Sequence, residues 1–253
     1  MQDPVIVPLG GGRAVAVAPY IGYRGFPVRH PYRQGVYVCH QDGTLEDLTP
    51  QQALARPELV RSGRLFPETL ARDIAEAYGY RTGAAAVVLD RPRTEIDQPV
   101  GNPQPYLTDL GDRRVSWVTV AHPAGDDGTA SALFLTDAAT GVTSVWRAPP
   151  GQRVLSNTGA AALARHLPLR WTECCDDDGD HYDIRRVTEA RPVFVRGHFY
   201  YLVSIVPVNG YRTVRPVDRT VLIDAQERRV VCVFDHADSQ AGAALRAFFG
   251  DGS

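Results

Sequence analysis

Lysine is missing from this chain, because all 27 basic side chains are arginine. Without a lysine amine, the protein has no side chain that forms a Schiff base with a carbonyl substrate. Arginine is suited to bidentate binding of carboxylate or phosphate. The arginines are scattered along the sequence, however, and do not form the basic cluster that a nucleic-acid-binding face requires. We attribute the absence of lysine to coding bias in a GC-rich genome.

A large net charge of either sign is also absent. The formal charge is -2 at pH 7 and the isoelectric point is near 6.4. We therefore expect no global electrostatic attraction to nucleic acid or to an anionic membrane, although local charged patches could still attract either. We predict that nucleic acid is not a partner. The content of 44% hydrophobic and 22% charged residues in 253 positions is typical of a folded chain with one large domain or two small ones.

Long apolar runs are missing as well. The longest, 84–89 and 160–164, are far below the roughly 20 residues that span a bilayer. Residues 1–5 show no basic segment followed by an apolar one, so no signal peptide is visible. We expect no membrane insertion by this segment. An upstream anchor would make it the soluble part of a bacterial membrane protein, and we favour an extracytoplasmic location over a cytoplasmic one.

The four cysteines, Cys39, Cys174, Cys175 and Cys232, form no C-x-x-C pair, so the sequence does not support a zinc knuckle. Neighbouring cysteines such as Cys174 and Cys175 rarely bond to each other, although either could bond to Cys39 or Cys232 in an oxidising compartment. Cys232 lies in an apolar run and is predicted to be a small buried hydrophobic residue. The disulfide state is left open.

Common catalytic signatures are absent: the chain contains no G-x-S-x-G, H-E-x-x-H or G-x-G-x-x-G pattern. A thiol hydrolase built on Cys39 needs an imidazole within hydrogen-bond reach. His40 should point to the opposite face of its strand, so the base would have to be a distant histidine. The candidates are His166, His181, His198 and His236. We favour a structural cysteine in a non-enzymatic protein, and a hydrolase that uses a cysteine or a loop-bound metal is the alternative.

Short apolar runs separated by turn residues dominate the chain, and this pattern is typical of antiparallel strands. Residues 5–7 and 14–18 flank a glycine triplet and predict an N-terminal β-hairpin. Further predicted strands cover 35–40, 87–89, 106–108, 115–120, 132–136, 142–146, 192–195, 198–206, 220–224 and 229–234.

Helices are predicted where the apolar spacing changes. Thr49 is a predicted N-cap with Pro50 at the first helical position. Apolar groups at three- and four-residue spacing predict an amphipathic helix that follows Pro67 and ends at Gly79. Two further predicted helices cover 158–167, with Ser156 or Asn157 as the N-cap, and 241–249.

Two sets of landmarks recur at one spacing. Pro105 and Pro192 are 87 residues apart, and so are the Asp-Ala pairs at 137–138 and 224–225. The same offset places the helix that ends at Gly79 on the alanine-rich helix. We therefore predict an α+β fold with two repeats of a helix packed on a curved antiparallel sheet. The predicted organisation is an N-terminal β segment at 1–47, a first repeat at 48–148 and a second repeat at 152–249.

A strand that ends in Asp-Ala-Ala-Thr-Gly at 137–141 is followed directly by another strand. Together with the tandem order of a helix and three or four strands, this turn resembles PepSY-type and other cystatin-like domains over roughly 68–236. The second copy lacks the Thr-Gly after 224–225. The resemblance implies a small α+β module, usually extracytoplasmic and membrane-tethered, that binds, inhibits or scaffolds other proteins. It implies no catalytic residues.

Alternating carboxylates at Asp176, Asp178 and Asp180 are what a hard cation such as calcium requires. The EF-hand pattern then fails, because Gly179 precedes the third acid and Val187 occupies the position of the bidentate glutamate. A solvated loop of self-repelling charges explains the run equally well. A calcium-stabilised binding domain is kept as an alternative, and no other cofactor is predicted.

Four aromatic residues on predicted strands are candidates for a binding face: Trp117, Phe199, Tyr200 and Tyr201. Alternation along a strand places Phe199 and Tyr201 on one face and Tyr200 on the other, so we expect an exposed ring. Such a face could bind a protein or peptide, whereas core filling is the competing interpretation. The sequence thus predicts a non-catalytic protein-binding, inhibitory or scaffold module, with partner identity and oligomeric state left open.

Overall fold

The computed structural model describes residues 4–80, 94–96, 104–109, 115–126, 128–149, 151–169, 171–174, 181–183, 185–195, 198–209, 213–214 and 216–250. Within these residues the protein is α+β, with mostly antiparallel strands and few helices, which confirms the predicted class. The strands are β1 (Val5–Gly10), β2 (Arg13–Arg24), β3 (His30–His40), β4 (Leu45–Leu48), β5 (Thr94–Ile96), β6 (Tyr106–Asp109), β7 (Val115–Pro123), β8 (Thr129–Ala130), β9 (Ala132–Asp137), β10 (Thr143–Arg147), β11 (Val154–Leu155), β12 (Thr172–Cys174), β13 (His181–Asp183), β14 (Arg185–Val195), β15 (His198–Asn209), β16 (Thr213–Val214), β17 (Arg219–Asp224) and β18 (Arg229–Asp235). The helices are α1 (Pro50–Leu54), α2 (Pro57–Val60), α3 (Glu68–Gly79), α4 (Asn157–Arg165) and α5 (Ala241–Phe249).

The chain forms two compact units, each assembled from three stretches. The first unit comprises Met1–Pro92, Pro105–Thr119 and Leu133–Trp146. The second comprises Arg93–Gln104, Val120–Ala132 and Arg147–Ser253. The division into a β segment at 1–47 and repeats at 48–148 and 152–249 stays a prediction, and the predicted strand at 87–89 lies outside the described residues.

The N-terminal sheet of the first unit has the order β1-β2-β3-β4. Its first two strands are the predicted antiparallel hairpin. Strand alternation turns one set of side chains inward, and Val15 and Val17 are consequently buried. Helices α1 and α2 contribute to the core beneath the sheet, which comprises Val7, Val15, Val17, Val36, Val38, Leu48, Ala53, Leu59, Leu65 and Ala139.

Helix α1 begins as the sequence predicts. The Thr49 side chain accepts a hydrogen bond from the backbone N–H of Gln52, and the Gln52 side chain accepts one from the backbone N–H of Thr49. This reciprocal arrangement is a capping box, and it satisfies N–H groups that a helix leaves unpaired at its first turn. Pro50 lies in the first turn, where its missing N–H is not needed.

A second sheet, whose strands belong mostly to the first unit, has the order β10-β9-β7-β5, and β6 also pairs with β7. Helix α3 covers the predicted span and packs its apolar stripe on this unit through Leu70 and Ala71. These side chains meet Phe66, Trp117 and Ala138 in one buried cluster. The three- and four-residue spacing of the stripe is therefore the feature that brings the helix onto the sheet.

The main sheet of the second unit has the order β14-β15-β17-β18, with every pairing antiparallel. Of the two candidate N-caps for α4, Ser156 is the one used, since its side chain accepts a hydrogen bond from the backbone N–H of Gly159. Strand β14 starts at Arg185, well before the predicted position 192. The added residues are largely polar, and their pairing with β15, from Arg185 opposite Pro207, extends the strand.

Smaller pairings complete the second unit. Strand β5 pairs with the second half of β7, from Thr94 opposite Pro123. Strand β8 pairs with β11, β12 with β13, and β16 with the end of β15. Helix α5 covers the predicted span 241–249 and packs through Ala241 against Leu222 and Phe234.

Candidate functional site

The predicted calcium ligands Asp176, Asp178 and Asp180 lie outside the described residues. Within the residues that the structure does describe, no group of three or more His, Cys, Asp or Glu side chains is placed to hold a metal ion. The calcium-stabilised domain therefore stays a prediction.

The predicted nucleophile Cys39 is a free, exposed thiol at the end of β3. Its sulfur lies 3.7 Å from the carbonyl oxygen of His40, and the His40 Nε2 lies 2.5 Å from Glu46 Oε1. The neighbouring imidazole is thus engaged with a carboxylate and not with the thiol. Cys232 is also free and half-buried, and burial raises the pKa of its thiol, which lowers the fraction of reactive thiolate.

The distant candidate histidines all belong to the second unit, whereas Cys39 belongs to the first. Two of the four candidates hydrogen-bond elsewhere in the second unit, His198 with Asp224 and His236 with Thr220, each over 2.9 Å. His166 is exposed after the end of α4, and the side chain of His181 lies outside the described part. A hydrolase that uses a cysteine stays a hypothesis without a described base.

The aromatic residues that the sequence marks as a binding face are placed mostly in the interior. Trp117 is 5% exposed, Phe199 3% and Tyr201 0%. Tyr200 lies on the opposite face of β15, as alternation predicts, and its half-buried ring packs edge-on against Phe248 of α5 with the centroids 5.4 Å apart. Their role as a binding face stays a prediction, and Tyr200 has the most surface for it.

A groove runs along the edge of the N-terminal sheet, and we call it the β1 groove. It has a volume of about 470 Å³ and is lined by all of β1 and, across from it, by Glu58, Arg61 and Ser62. Within the described residues β1 pairs with β2 alone, so its second side is a free strand edge. The groove therefore combines unpaired backbone with the flank of a helical turn.

Local sequence explains how the groove forms. Alternation buries Val7 in the core and leaves Ile6 on the outside with 67% of its surface exposed. On the other side, Pro57 starts α2 and Leu59 packs into the same core, which leaves Glu58 exposed. One buried residue on each element thus anchors the two sides of the groove to a common core.

The groove carries one acidic and one basic group. Glu58 and Arg61 are both exposed, and neither forms an ion pair within 4.0 Å of another described residue. The charge of Glu58 nevertheless adds to the larger effect of Glu46 in raising the pKa of Arg56.

A free strand edge beside an apolar floor is the geometry by which an extended peptide adds to a sheet, with backbone hydrogen bonds for affinity and side chains for selectivity. Pro8 has no N–H to donate, so we expect such pairing to be strongest at Val5–Val7.

The sequence analysis did not identify this groove, although one signal was present. Pro8 continues the apolar run of β1, and proline in a strand is largely confined to sheet edges. That rule would have assigned β1 to the edge of its sheet. No comparable signal in the sequence places Glu58 and Arg61 beside it.

Comparisons with known proteins do not assign the chain to a family. No family model, curated protein or solved structure matches it. Among the described residues, no helix is both long enough and apolar enough to cross a bilayer.

Proposed function

We propose that this protein is a non-catalytic protein-binding module that takes up an extended segment of a partner along the β1 groove. The free edge of β1, with a groove along its whole length, is the observation that carries this proposal. A binding role matches the expectation from the cystatin-like resemblance, which implies modules that bind, inhibit or scaffold other proteins.

The groove selects the chemistry of its occupant. An added strand would place its backbone against Val5–Val7 and pair with the N–H and C=O groups that β2 does not use. The exposed Ile6 side chain would contact apolar side chains on one face of that strand. At the helical side, Glu58 and Arg61 would each select a residue of opposite charge. Along β1 the groove is mainly apolar, so the rest of the segment should be short and mainly β-branched, with few further charges.

We also propose that the chain contains a tandem repeat of one cystatin-like helix-and-sheet unit. Among the strands that follow α3, β6, β7, β9 and β10 neighbour one another in that order, and β5 is a further neighbour of β7. Among the strands that follow α4, β14, β15, β17 and β18 neighbour one another in that order, and β16 is a further neighbour of β15. Spatial order therefore matches chain order in both sets.

Backbone contacts before each helix support the same proposal. The carbonyl oxygen of Ala138 accepts a hydrogen bond from the backbone N–H of Phe66, just before α3, over 2.7 Å. The carbonyl oxygen of Ala225 accepts one from the N–H of Leu155, just before α4, over 2.9 Å. Each alanine follows the aspartate that ends the third strand of its set, so both helices are tied to the corresponding turn.

Selection from a displayed library of random peptides tests the proposed function. We expect the selected peptides to be extended and rich in β-branched residues, and to protect the β1 amides from hydrogen exchange. Ile6→Asp should weaken their binding by about tenfold or more, because a charge replaces an apolar contact. Val142→Asp is the matched control, since Val142 belongs to the same unit and is also 67% exposed.

Selected peptides that protect β1 and lose affinity only with Ile6→Asp would support the proposal. Peptides that bind equally well to both variants, or that leave the β1 amides unprotected, would place the binding surface elsewhere and overturn it. A library that yields no binder would overturn it as well.

A further inference from the structure

The turn between β2 and β3 forms a projecting apolar tip, which we define as residues 23–30 and call the hairpin tip. Phe26 is 96% exposed, and Tyr23 and Val28 are 60% and 62% exposed. Three large apolar side chains thus lie within six consecutive residues at the end of long strands. Single exposed apolar residues are ordinary on protein surfaces, but a contiguous group suggests an interaction site.

The formally charged side chains within the hairpin tip have one sign, because residues 23–30 contain two arginines and no aspartate or glutamate. Residues 4–41 contain four arginines and no aspartate or glutamate. Arg24 and Arg29 lie within the hairpin tip on either side of Phe26, both are exposed, and neither forms an ion pair with a described residue. The Arg24 guanidinium lies over the ring of Tyr32, 5.3 Å from its centroid, which holds this charge beside an aromatic residue.

The order of side chains along the hairpin is amphipathic. Phe26 and Val28 lie in the turn, beyond the last paired residues, Arg24 and His30. The next paired residue on β2 is Tyr23. Moving away from the end of the hairpin, the chain therefore presents an apolar group, then basic groups, then tyrosine. In a bilayer this sequence matches the acyl boundary, the phosphate layer and the headgroup layer in which tyrosine is enriched.

We propose that the hairpin tip binds the surface of a bilayer that contains anionic lipids. The apolar residues would enter the headgroup and acyl boundary, and Arg24 and Arg29 would contact lipid phosphates and carboxylates. Such binding is peripheral and needs no spanning segment. The local arginine excess supplies the attraction that the net charge of -2 does not.

A bilayer fits the hairpin tip better than an acidic protein does. Phe26 is almost fully exposed beyond the last paired residues of the hairpin, so a protein partner would have to provide a preformed pocket for it. A fluid bilayer accepts a projecting ring without such a pocket.

The hairpin tip is separate from the β1 groove. On β2, the residue nearest the tip that pairs with β1 is Val17, and the hairpin tip lies beyond it. Loss of binding at the hairpin tip and at the β1 groove can therefore be measured separately.

Cosedimentation with vesicles tests the proposal. We expect the full chain to bind vesicles of phosphatidylcholine and phosphatidylserine, and to bind vesicles of phosphatidylcholine alone much more weakly. Phe26→Ala should lower the partition coefficient by about tenfold, and Arg24→Gln and Arg29→Gln by about fivefold each. Arg13→Gln and Val142→Ala are matched controls, since both residues are exposed and lie outside the hairpin tip.

Loss of binding that is confined to the hairpin-tip variants supports the proposal. Equal loss with Arg13→Gln, or binding that Phe26→Ala leaves unchanged, would show diffuse electrostatic attraction and overturn it. Absence of vesicle binding would overturn it too. Binding to polyglutamate without binding to vesicles would assign the hairpin tip to an acidic protein partner instead. Thermal melting of each variant separates these outcomes from loss of folding.

Discussion

The indole Nε1 of Trp117 donates a 3.0 Å hydrogen bond to the backbone carbonyl of Phe66, the second residue before α3. The two residues are 51 positions apart, and both belong to the buried cluster under that helix. The bond therefore fixes the start of α3 against a strand of the sheet. A buried indole N–H without a partner would be unfavourable, so the position also selects tryptophan.

We expect Trp117→Phe to lower the free energy of unfolding by about 2 kcal/mol, because the Phe66 carbonyl loses a buried donor and the smaller ring leaves space. Urea denaturation measures this change. Val142→Ala, at an exposed position of the same unit, should change the free energy by less than about 0.5 kcal/mol. Equal stability of the two variants would show that the hydrogen bond contributes nothing.

Tyr201 performs a similar task in the second unit. Its hydroxyl donates to the carbonyl of Leu155, the second residue before α4, over 3.0 Å, and the side chain is fully buried. Tyr201→Phe should lower the free energy of unfolding by about 1 to 3 kcal/mol, because a buried acceptor loses its donor. Tyr200→Phe is the matched control, since that ring is half-buried on the opposite face. Denaturation midpoints that shift equally in both variants would contradict this assignment.

Gly141 is required by two independent features of its turn. Its φ angle is +81°, which non-glycine residues rarely adopt, and an added Cβ would lie 2.3 Å from a ring carbon of Phe66. Gly141→Ala should therefore destabilise the protein by more than the roughly 1 kcal/mol expected for the backbone conformation alone. Gly43→Ala isolates the backbone contribution, because Gly43 has φ +86° and open space around it. If calorimetry shows that Gly141→Ala and Gly43→Ala lower the melting temperature equally, the steric contribution is excluded.

Tyr20 gives the protein a pH-dependent stability at the alkaline end. Its hydroxyl donates to Asp47 Oδ1 over 2.7 Å, and this hydrogen bond, together with burial, raises the pKa of Tyr20 from 10.0 to about 12. The resulting stabilisation is fully present below pH 10 and is lost as the pH rises through the folded-state pKa, since the unfolded chain releases the proton first.

We expect the wild type to lose more stability than Tyr20→Phe as the pH rises from about 10 to 12. Denaturation midpoints at several pH values measure the difference. The tyrosinate absorbance of the wild type minus that of the variant should show one tyrosine titrating near pH 12. A difference spectrum that titrates near pH 10 would show that Asp47 does not hold the proton on Tyr20.

Short-range patterns predicted the parts of the fold that depend on neighbouring residues. The capping box at Thr49 needs only the next three positions, and the apolar stripe of α3 needs one helix. The turn at Asp137 belongs to the same group, because its carboxylate accepts hydrogen bonds from the N–H groups of Ala139 and Thr140. Asp224 makes the corresponding bonds to the N–H groups two and three positions later.

The binding surfaces were not predictable in the same way. Trp117, Phe199 and Tyr201 were candidates for a binding face, with core filling as the competing interpretation, and the structure buries all three. Alternation separates the two faces of a strand but does not tell which of them is covered. The sequence does not distinguish Ile6 and Phe26 from other apolar residues. Their exposure depends on which strands and turns are not covered by another element of the fold. Pairing between distant segments decides that.

By itself, the sequence determined the starts of α1, α3, α4 and α5, the N-terminal hairpin, the antiparallel class and the exclusion of lysine chemistry, because capping, turn formation and residue type are properties of a few adjacent positions. It did not predict α2. Only the tertiary structure decided that Glu58 and Arg61 lie across a groove from β1, and that Trp117 meets Phe66. These relationships join residues tens of positions apart, and they depend on packing over the whole unit, which no local pattern specifies.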